Sequence, residues 1–370
     1  LRQSNKAVST KSEAMNRNER FLKACRLEKT DCTPVWFMRQ AGRYMKAYRD
    51  IREKYGLIEM FKNPGLAAEI TLQPVNAFSL DAAIIFSDIL LPLEGMGIGF
   101  EFLEGSGPVI RNPLRSKGAI QSLRRIDPNE DLGFVLKIIR DVRAEIDGKI
   151  PLIGFAGAPF TLASYAIEGG PSSSHNRTKE LMHGDRASWD LLMDAFRRTV
   201  SAYLKAQIHA GAQAVQIFDS WVGCLSPSDY RDYVLPHTGR IFEELQAEGV
   251  PSLHFGTTTA GLLPLMAEAG SSVIGVDWRI SIDSAWRTVG RRIGIQGNLD
   301  PATLLAPWDI IRRKAREVLD AVQGRPGHIF NLGHGVLPST PEDSVRALAD
   351  FVHEYSAHGA APNQKPQSAE

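Results

Sequence analysis

Four arginines crowd one short stretch, MRQAGRYMKAYRDIR, at positions 39, 43, 49 and 52. A guanidinium is a planar fork that can grip a carboxylate through two hydrogen bonds at once. Arg39 and Arg43 are four residues apart, so a helical turn would put them on one face. A charged run of this kind is ordinarily a solvated helix face. Here Trp36, Phe37, Met38 and Tyr44 surround the first two arginines, so one edge is not free in water. The stretch therefore points to an anion site for a ligand with several carboxylates or phosphates. Asp88 is the oddest acid. It lies in IIFSDIL, between Ile84-Ile85-Phe86 and Ile89-Leu90-Leu91. A carboxylate in apolar surroundings costs several kcal/mol unless it is paired. It is either a helix N-cap or structural ion pair, or a charge held to meet a cation. Tyr165, in FTLASYAIEGG, is either a core tyrosine or a hydrogen-bond donor beside a flexible loop.

Other chemistries lack their residues. No GxxxxGK[ST] loop occurs, and Gly95-Met-Gly-Ile-Gly99 is not GxGxxG, so phosphate and nicotinamide sites have little support. There is no HxxxH or HExxH, and His254 precedes Gly256 where a zinc element would place Cys, so no metal is expected. Ser220 has no GxSxG context, and Cys224 reads as packing rather than as a nucleophile. Lys plus Arg is 43 against 42 for Asp plus Glu, a net charge of +1, which argues against a nucleic-acid binder. Any anion site must be a local cluster. No apolar run approaches the ~18 residues of a membrane helix. Cys25, Cys32 and Cys224 form no CxxC pair, which suggests a reducing, cytoplasmic setting.

Elements that could position these residues recur along the 370-residue chain. Short apolar runs at Val35–Met38, Ala82–Phe86, Leu152–Ala156, Ala214–Phe218, Ser252–Phe255, Val273–Val276, Ile293–Gln296 and His328–Leu332 read as parallel strands buried on both faces. Helical patterns separate them: Leu66–Phe78, Leu132–Ile146, Trp189–Ala210, Pro227–Glu248, Pro301–Val322 and Pro341–His353. About eight βα units predict a single (β/α)₈ TIM-type barrel, with a doubly wound open sheet as the alternative. A hairpin insertion is expected over Gly97–Pro113, after the second strand, and a Gly/Ser-rich loop, a lid candidate, over Glu168–Thr178. Arg39, Asp88, Asp219, Ser220, Gly256, Asp277, Asn298 and His334 follow successive strands, where a barrel gathers its catalytic groups; βα turns are rich in such residues anyway. The barrel is expected over residues 21–358, between a polar tail at 1–20 and a disordered Pro/Gln/Ala-rich tail at 359–370.

Several of these stretches are familiar together. Pro34-Val-Trp-Phe-Met-Arg-Gln-Ala-Gly-Arg-Tyr44 and Gly154-Phe-Ala-Gly-Ala-Pro-Phe-Thr-Leu-Ala-Ser-Tyr-Ala-Ile-Glu-Gly-Gly170 resemble the two signatures of the uroporphyrinogen decarboxylases. FSDIL at 86–90 and NLGHGV at 331–336 agree, and the resemblance spans roughly residues 20–355. It implies a (β/α)₈ barrel, a homodimer, and cofactor-free removal of four carboxylates. The four acetates of uroporphyrinogen III become methyls, giving coproporphyrinogen III and four CO₂ in haem and chlorophyll synthesis. It also implies roles: Arg39 and Arg43 for substrate carboxylates, Asp88 for pyrrole N–H groups, and Tyr165, Ser220 and His334 elsewhere in the cleft. Gln40 and Phe155 match wall positions. Arg39, His334 and a water all stay open as proton donor. Two rivals share the barrel or the ligand: a zinc methyltransferase of the same superfamily, which would need thiolate and imidazole ligands, and a catalytically silent porphyrin- or anion-binding protein.

Overall fold

The computed structural model describes residues 17–357, apart from 104 and 106. Seven parallel strands form one sheet in the order β1 (Ala83–Ile84), β4 (Leu152–Gly157), β5 (Ala214–Asp219), β6 (Ser252–Gly256), β7 (Val273–Gly275), β8 (Gly294–Leu299) and β9 (His328–Leu332). The intervening β2 (Phe100–Leu103) and β3 (Gly107–Ile110) pair antiparallel as a separate hairpin. The eighth stave is a single residue. Val35 bridges Phe330 of β9 in parallel, and its carbonyl accepts the Asp81 N–H at 2.8 Å, just before β1. The sheet thus curls back on itself as a (β/α)₈ barrel. The run expected as a strand over Val35–Met38 ends after this bridge because the chain turns sharply at Arg39.

Closure at so short a stave depends on side chains. Asp81, fully buried, accepts the Val35 N–H at 2.8 Å, pairs with Arg20 at 2.6 Å and meets the His353 ring at 2.6 Å. Arg20 also grips Asp31 through two nitrogens at 2.7 Å. One carboxylate therefore joins the first helix (Arg17–Cys25), the bridge residue, the approach to β1 and the last helix (Glu342–Ala357). The helix begins at Arg17, so a tail boundary at residue 20 cuts through a turn that carries a buried ion pair. Residues 1–16 and the tail at 359–370 lie outside the described residues.

Inside the barrel, Trp36 donates to Gln296 at 2.9 Å and Gln296 donates to Gln216 at 3.0 Å, a polar layer that links staves on different sides. Phe155, Phe218 and Phe255 form an edge-to-face row toward the strands' C-terminal ends, with centroids 5.4 and 5.9 Å apart. Outside, the helices bury one face each; Gly133–Ile146 buries Val135, Leu136, Ile138, Ile139, Val142 and Ile146 at a helical period. Two expected helices are broken by proline. Pro227–Tyr233 stops and Leu235–Gln246 restarts around Pro236, while Pro301–Leu305 is a 3₁₀ turn and the helix proper runs Trp308–Val322 after Pro307. Proline has no N–H to continue the ladder, and its ring clashes with the preceding turn.

Asp81→Ala would leave the Arg20 guanidinium, 7% exposed, without its deepest partner. Breaking a buried ion pair from one side typically costs ~3–5 kcal/mol. Urea unfolding should show a loss of that size, and a change below ~1 kcal/mol would show that closure does not depend on Asp81.

Candidate active site

The first cation comes from the segment after Val35. Residues 39–45 form turns, and the helix starts only at Lys46, so Arg39 and Arg43 do not share a helical face. Arg39 has φ +56°, the left-handed region that an L side chain enters at a cost of order 1–2 kcal/mol. Its neighbours hold it there. Met38 donates to Asn331 at 3.2 Å and accepts from Val336 at 3.0 Å. The Tyr44 hydroxyl donates to the Gln40 carbonyl at 2.6 Å. Gln40 itself is fully buried: its side-chain carbonyl accepts from Phe37 at 3.3 Å and its amide donates to Ala82 at 3.3 Å. The expectation that Gln40 lines the cleft is corrected accordingly, since its amide braces the turn beneath Arg39.

Arg39 is exposed and makes no ion pair within 4 Å among the described residues. Its stem lies over Gly335. A Cβ there would fall 2.5 Å from the Arg39 Cδ, so the residue after His334 has to be glycine for the two to pack. His334, at the C-terminal end of β9, is half-buried. Burial first, then the charges of Arg39 and Arg279, push its pKa down to about 4, with Asp277 opposing them. The ring is neutral at neutral pH.

Asp88 follows β1 in a turn and accepts the Leu90 N–H at 2.9 Å, an Asx bond that fixes the carboxylate. Burial raises its pKa, and the Leu90 N–H and the Arg39 charge oppose that rise. No ion pair within 4 Å satisfies it among the described residues. Of the two readings from sequence, a structural ion pair is thereby set aside. Tyr165 lies on the helix Pro159–Glu168 that follows β4. Burial, then the Asp88 charge, raise its phenol to about 12, while a hydrogen bond from the Trp221 indole and the Arg39 charge oppose this. The Arg39 charge thus acts on Asp88, Tyr165 and His334 alike, and the Asp88 charge on Tyr165.

Ser220 follows β5 and its carbonyl accepts from Thr257 at 2.7 Å. Phe155, on β4, is 8% exposed and packs edge-on against Phe218. Arg43 is exposed and, among the described residues, forms no ion pair within 4 Å. Three supports were not legible in the sequence. Trp221 packs edge-on against Tyr165 at 5.5 Å and against His175 at 5.3 Å. Thr161, one turn before Tyr165, donates to buried Asp219 at 2.9 Å and accepts the Trp221 N–H at 3.3 Å. Glu168 accepts both the Thr178 N–H and its hydroxyl at 2.9 Å, clasping the expected lid loop at its two ends. That loop is shorter than expected, because a helix begins at Asn176. The hairpin packs against it: Ile110 donates to the Gly169 carbonyl at 2.9 Å, so both insertions border one mouth.

Residues 16–355 match the family model for uroporphyrinogen decarboxylase. The chain belongs to the uroporphyrinogen decarboxylase family. It is 56% identical over 345 residues to a uroporphyrinogen decarboxylase of Roseiflexus sp. (strain RS-1), covering 92% of this chain and 99% of that one. A uroporphyrinogen decarboxylase of Sorangium cellulosum is 56% identical over 336 residues, 91% of this chain and 96% of that protein. Among solved structures, a methyltransferase from Methanosarcina mazei superposes with a TM-score of 0.77 at 20% identity, covering 92% of this chain and 99% of that one. That likeness extends to the barrel alone, so it does not favour the zinc methyltransferase alternative over the decarboxylase family. Among the described residues, no group of three or more His, Cys, Asp or Glu side chains is placed to hold a metal ion.

The neutral state of His334 can be read by NMR of the imidazole nitrogens, with His334→Gln identifying the signal. In the ligand-free protein the ring should stay unprotonated from pH 8 down to 5 and titrate near 4. Because this folded pKa is depressed below the ordinary His value of ~6.5, the site opposes folding increasingly as pH falls from ~6.5 toward 4. A midpoint above 6 would mean that burial and the two arginines do not hold the ring neutral.

Proposed function

We propose that this protein converts uroporphyrinogen to coproporphyrinogen by removing its four acetate carboxylates as CO₂, with no cofactor. The observation that carries this reading is the unpaired, partly desolvated Asp88 carboxylate beside Arg39, in a chain that belongs to the decarboxylase family. A ligand with eight carboxylates calls for local cations, and an acid at the centre of such a site serves charge of the opposite sign.

The chemistry follows from electron demand. Breaking the bond between the methylene and the carboxylate carbon leaves an electron pair on carbon, which needs a sink. A proton added to the pyrrole ring makes that ring a cation, and the pair flows into it as CO₂ leaves. Protonation of the methylene carbon then yields the methyl, and the ring proton departs. Asp88 accepts hydrogen bonds from the resting pyrrole N–H groups and stabilises the ring cation without rearranging. Arg39 and Arg43 hold substrate carboxylates, Tyr165, Ser220 and His334 complete the polar wall, and Phe155 supplies an apolar one. Arg39 is a poor acid at an ordinary pKa. His334 is neutral in the empty site, which favours a water, or a proton acquired by His334 after the carboxylates arrive. The family resemblance supports a homodimer, and the free thiols of Cys25, Cys32 and Cys224 support a reducing compartment such as the cytoplasm. No helix among the described residues is long and apolar enough to cross a membrane.

Anaerobic incubation with uroporphyrinogen and mass analysis of the product should show loss of four CO₂; a silent binding protein would return the substrate unchanged. Asp88→Asn keeps the shape and removes the charge, so the folded variant should lose ~10²–10³ in turnover. Asp88→Glu should lose at least ~10², since a shift of ~1 Å suffices for that. An Asn variant within threefold of wild type would make Asp88 structural.

The arginines separate by what they act on: Arg39 bears on Asp88 and His334, and Arg43 on neither. Arg43→Ala should chiefly raise KM, whereas Arg39→Ala should lower kcat as well, each by an amount equivalent to ~2–5 kcal/mol in kcat/KM. Wild-type kinetics in both variants would move the anion site elsewhere.

A further inference from the structure

His334 stands between two glycines, and each glycine admits a different cation carrier. Gly335 gives room to the Arg39 stem, as described above. Gly333 gives room to Trp278: a Cβ at Gly333 would fall 2.6 Å from the Trp278 backbone nitrogen and 2.9 Å from its ring. The loop after β7 is thereby pressed against the end of β9. Arg279, the next residue, lies over the Trp278 ring at 4.1 Å. One of its nitrogens bonds Asp277 at 2.6 Å, and its side chain is 47% exposed. The loop is held firmly. Asn298 donates to the carbonyls of Asp277 and Ile280 at 2.9 and 2.7 Å, and Asp277 accepts the Thr258 N–H at 2.7 Å. A guanidinium stacked on an indole and pinned by one nitrogen keeps the rest of its fork in a fixed direction.

We propose that Arg279 is a substrate-binding residue that, with His334 and Arg39, brackets one carboxylate which survives the reaction. This rests on the decarboxylase reading above. Asp88 follows β1 and Arg279 follows β7, four staves away across the eight-stave barrel, and Arg39 bears on both Asp88 and His334 whereas Arg279 bears on His334. Arg279 therefore serves the side of the cleft away from the reacting centre. The group it holds is a carboxylate that is not lost, of the longer side chains that the product keeps.

The test compares Arg279→Ala and Arg279→Gln with wild type. The Gln variant removes the charge but can still bond Asp277, so it decides the matter should the Ala variant unfold. KM for uroporphyrinogen should rise roughly 5–30-fold with kcat within threefold, and kcat/KM should become less sensitive to salt. Inhibition by coproporphyrinogen should weaken by a similar factor. An unchanged KM in a folded variant would overturn the proposal. So would a fall in kcat alone, which would mark a positioning role. A raised KM with unchanged product inhibition would overturn the assignment to a surviving carboxylate. Absence of decarboxylation by the wild-type protein would instead refute the functional reading itself.

Discussion

Everything at the mouth of this barrel depends on how the barrel closes. The first stave offers only Val35 to its neighbour β9, against registers of two to five residues elsewhere in the sheet. Asp81 makes up the difference with three partners that come from opposite ends of the chain. The short stave has a functional reason. The chain leaves the sheet immediately after Val35, turns at Arg39 in a left-handed conformation and delivers that arginine over the rim. A longer strand would carry Arg39 along the barrel wall instead.

The electrostatics show a division between paired and unpaired charge. Other buried acids are satisfied: Asp81 by Arg20, Asp219 by Thr161, Asp277 by Arg279 and two backbone N–H groups. Asp88 is fixed by one backbone N–H, and among the described residues neither it nor Arg39 has an ion-pair partner. A site of this kind resists collapse onto itself because each group is held by backbone bonds rather than by its opposite charge. An almost neutral protein can thus present a concentrated charge pattern to a highly anionic ligand. Burial, and after it the same proximity of cations, keeps His334 neutral.

Glycines set the distances in this arrangement. Gly333 and Gly335 act through the missing Cβ, which allows Trp278 and Arg39 to approach the backbone on either side of His334. Gly169 has φ +96° and ends the helix that carries Tyr165, so that the chain can turn into the clasped loop. Substituting a side chain at any of these positions would move a charged or hydrogen-bonding group by about the width of a methyl group.

The parallel strands from β4 onward, the hairpin, the amphipathic helices and the positions of Arg39, Asp88, Ser220 and His334 just after strands were legible in the sequence. These follow from local pattern: a buried strand reads as a short apolar run, and an acid among isoleucines stands out wherever it lies. Only the tertiary structure decided the rest. Gln40 reads as a polar neighbour of Arg39, but its amide is used on Phe37 and Ala82, which is a matter of burial and not of residue type. Val35 reads as the start of a strand, but only the approach of β9 and Asp81 determines that pairing stops after one residue. Arg279 reads as one arginine among many. Its place beside His334 exists because Gly333 lets the β7 loop press against the end of β9, a contact between residues more than fifty positions apart that no local period encodes.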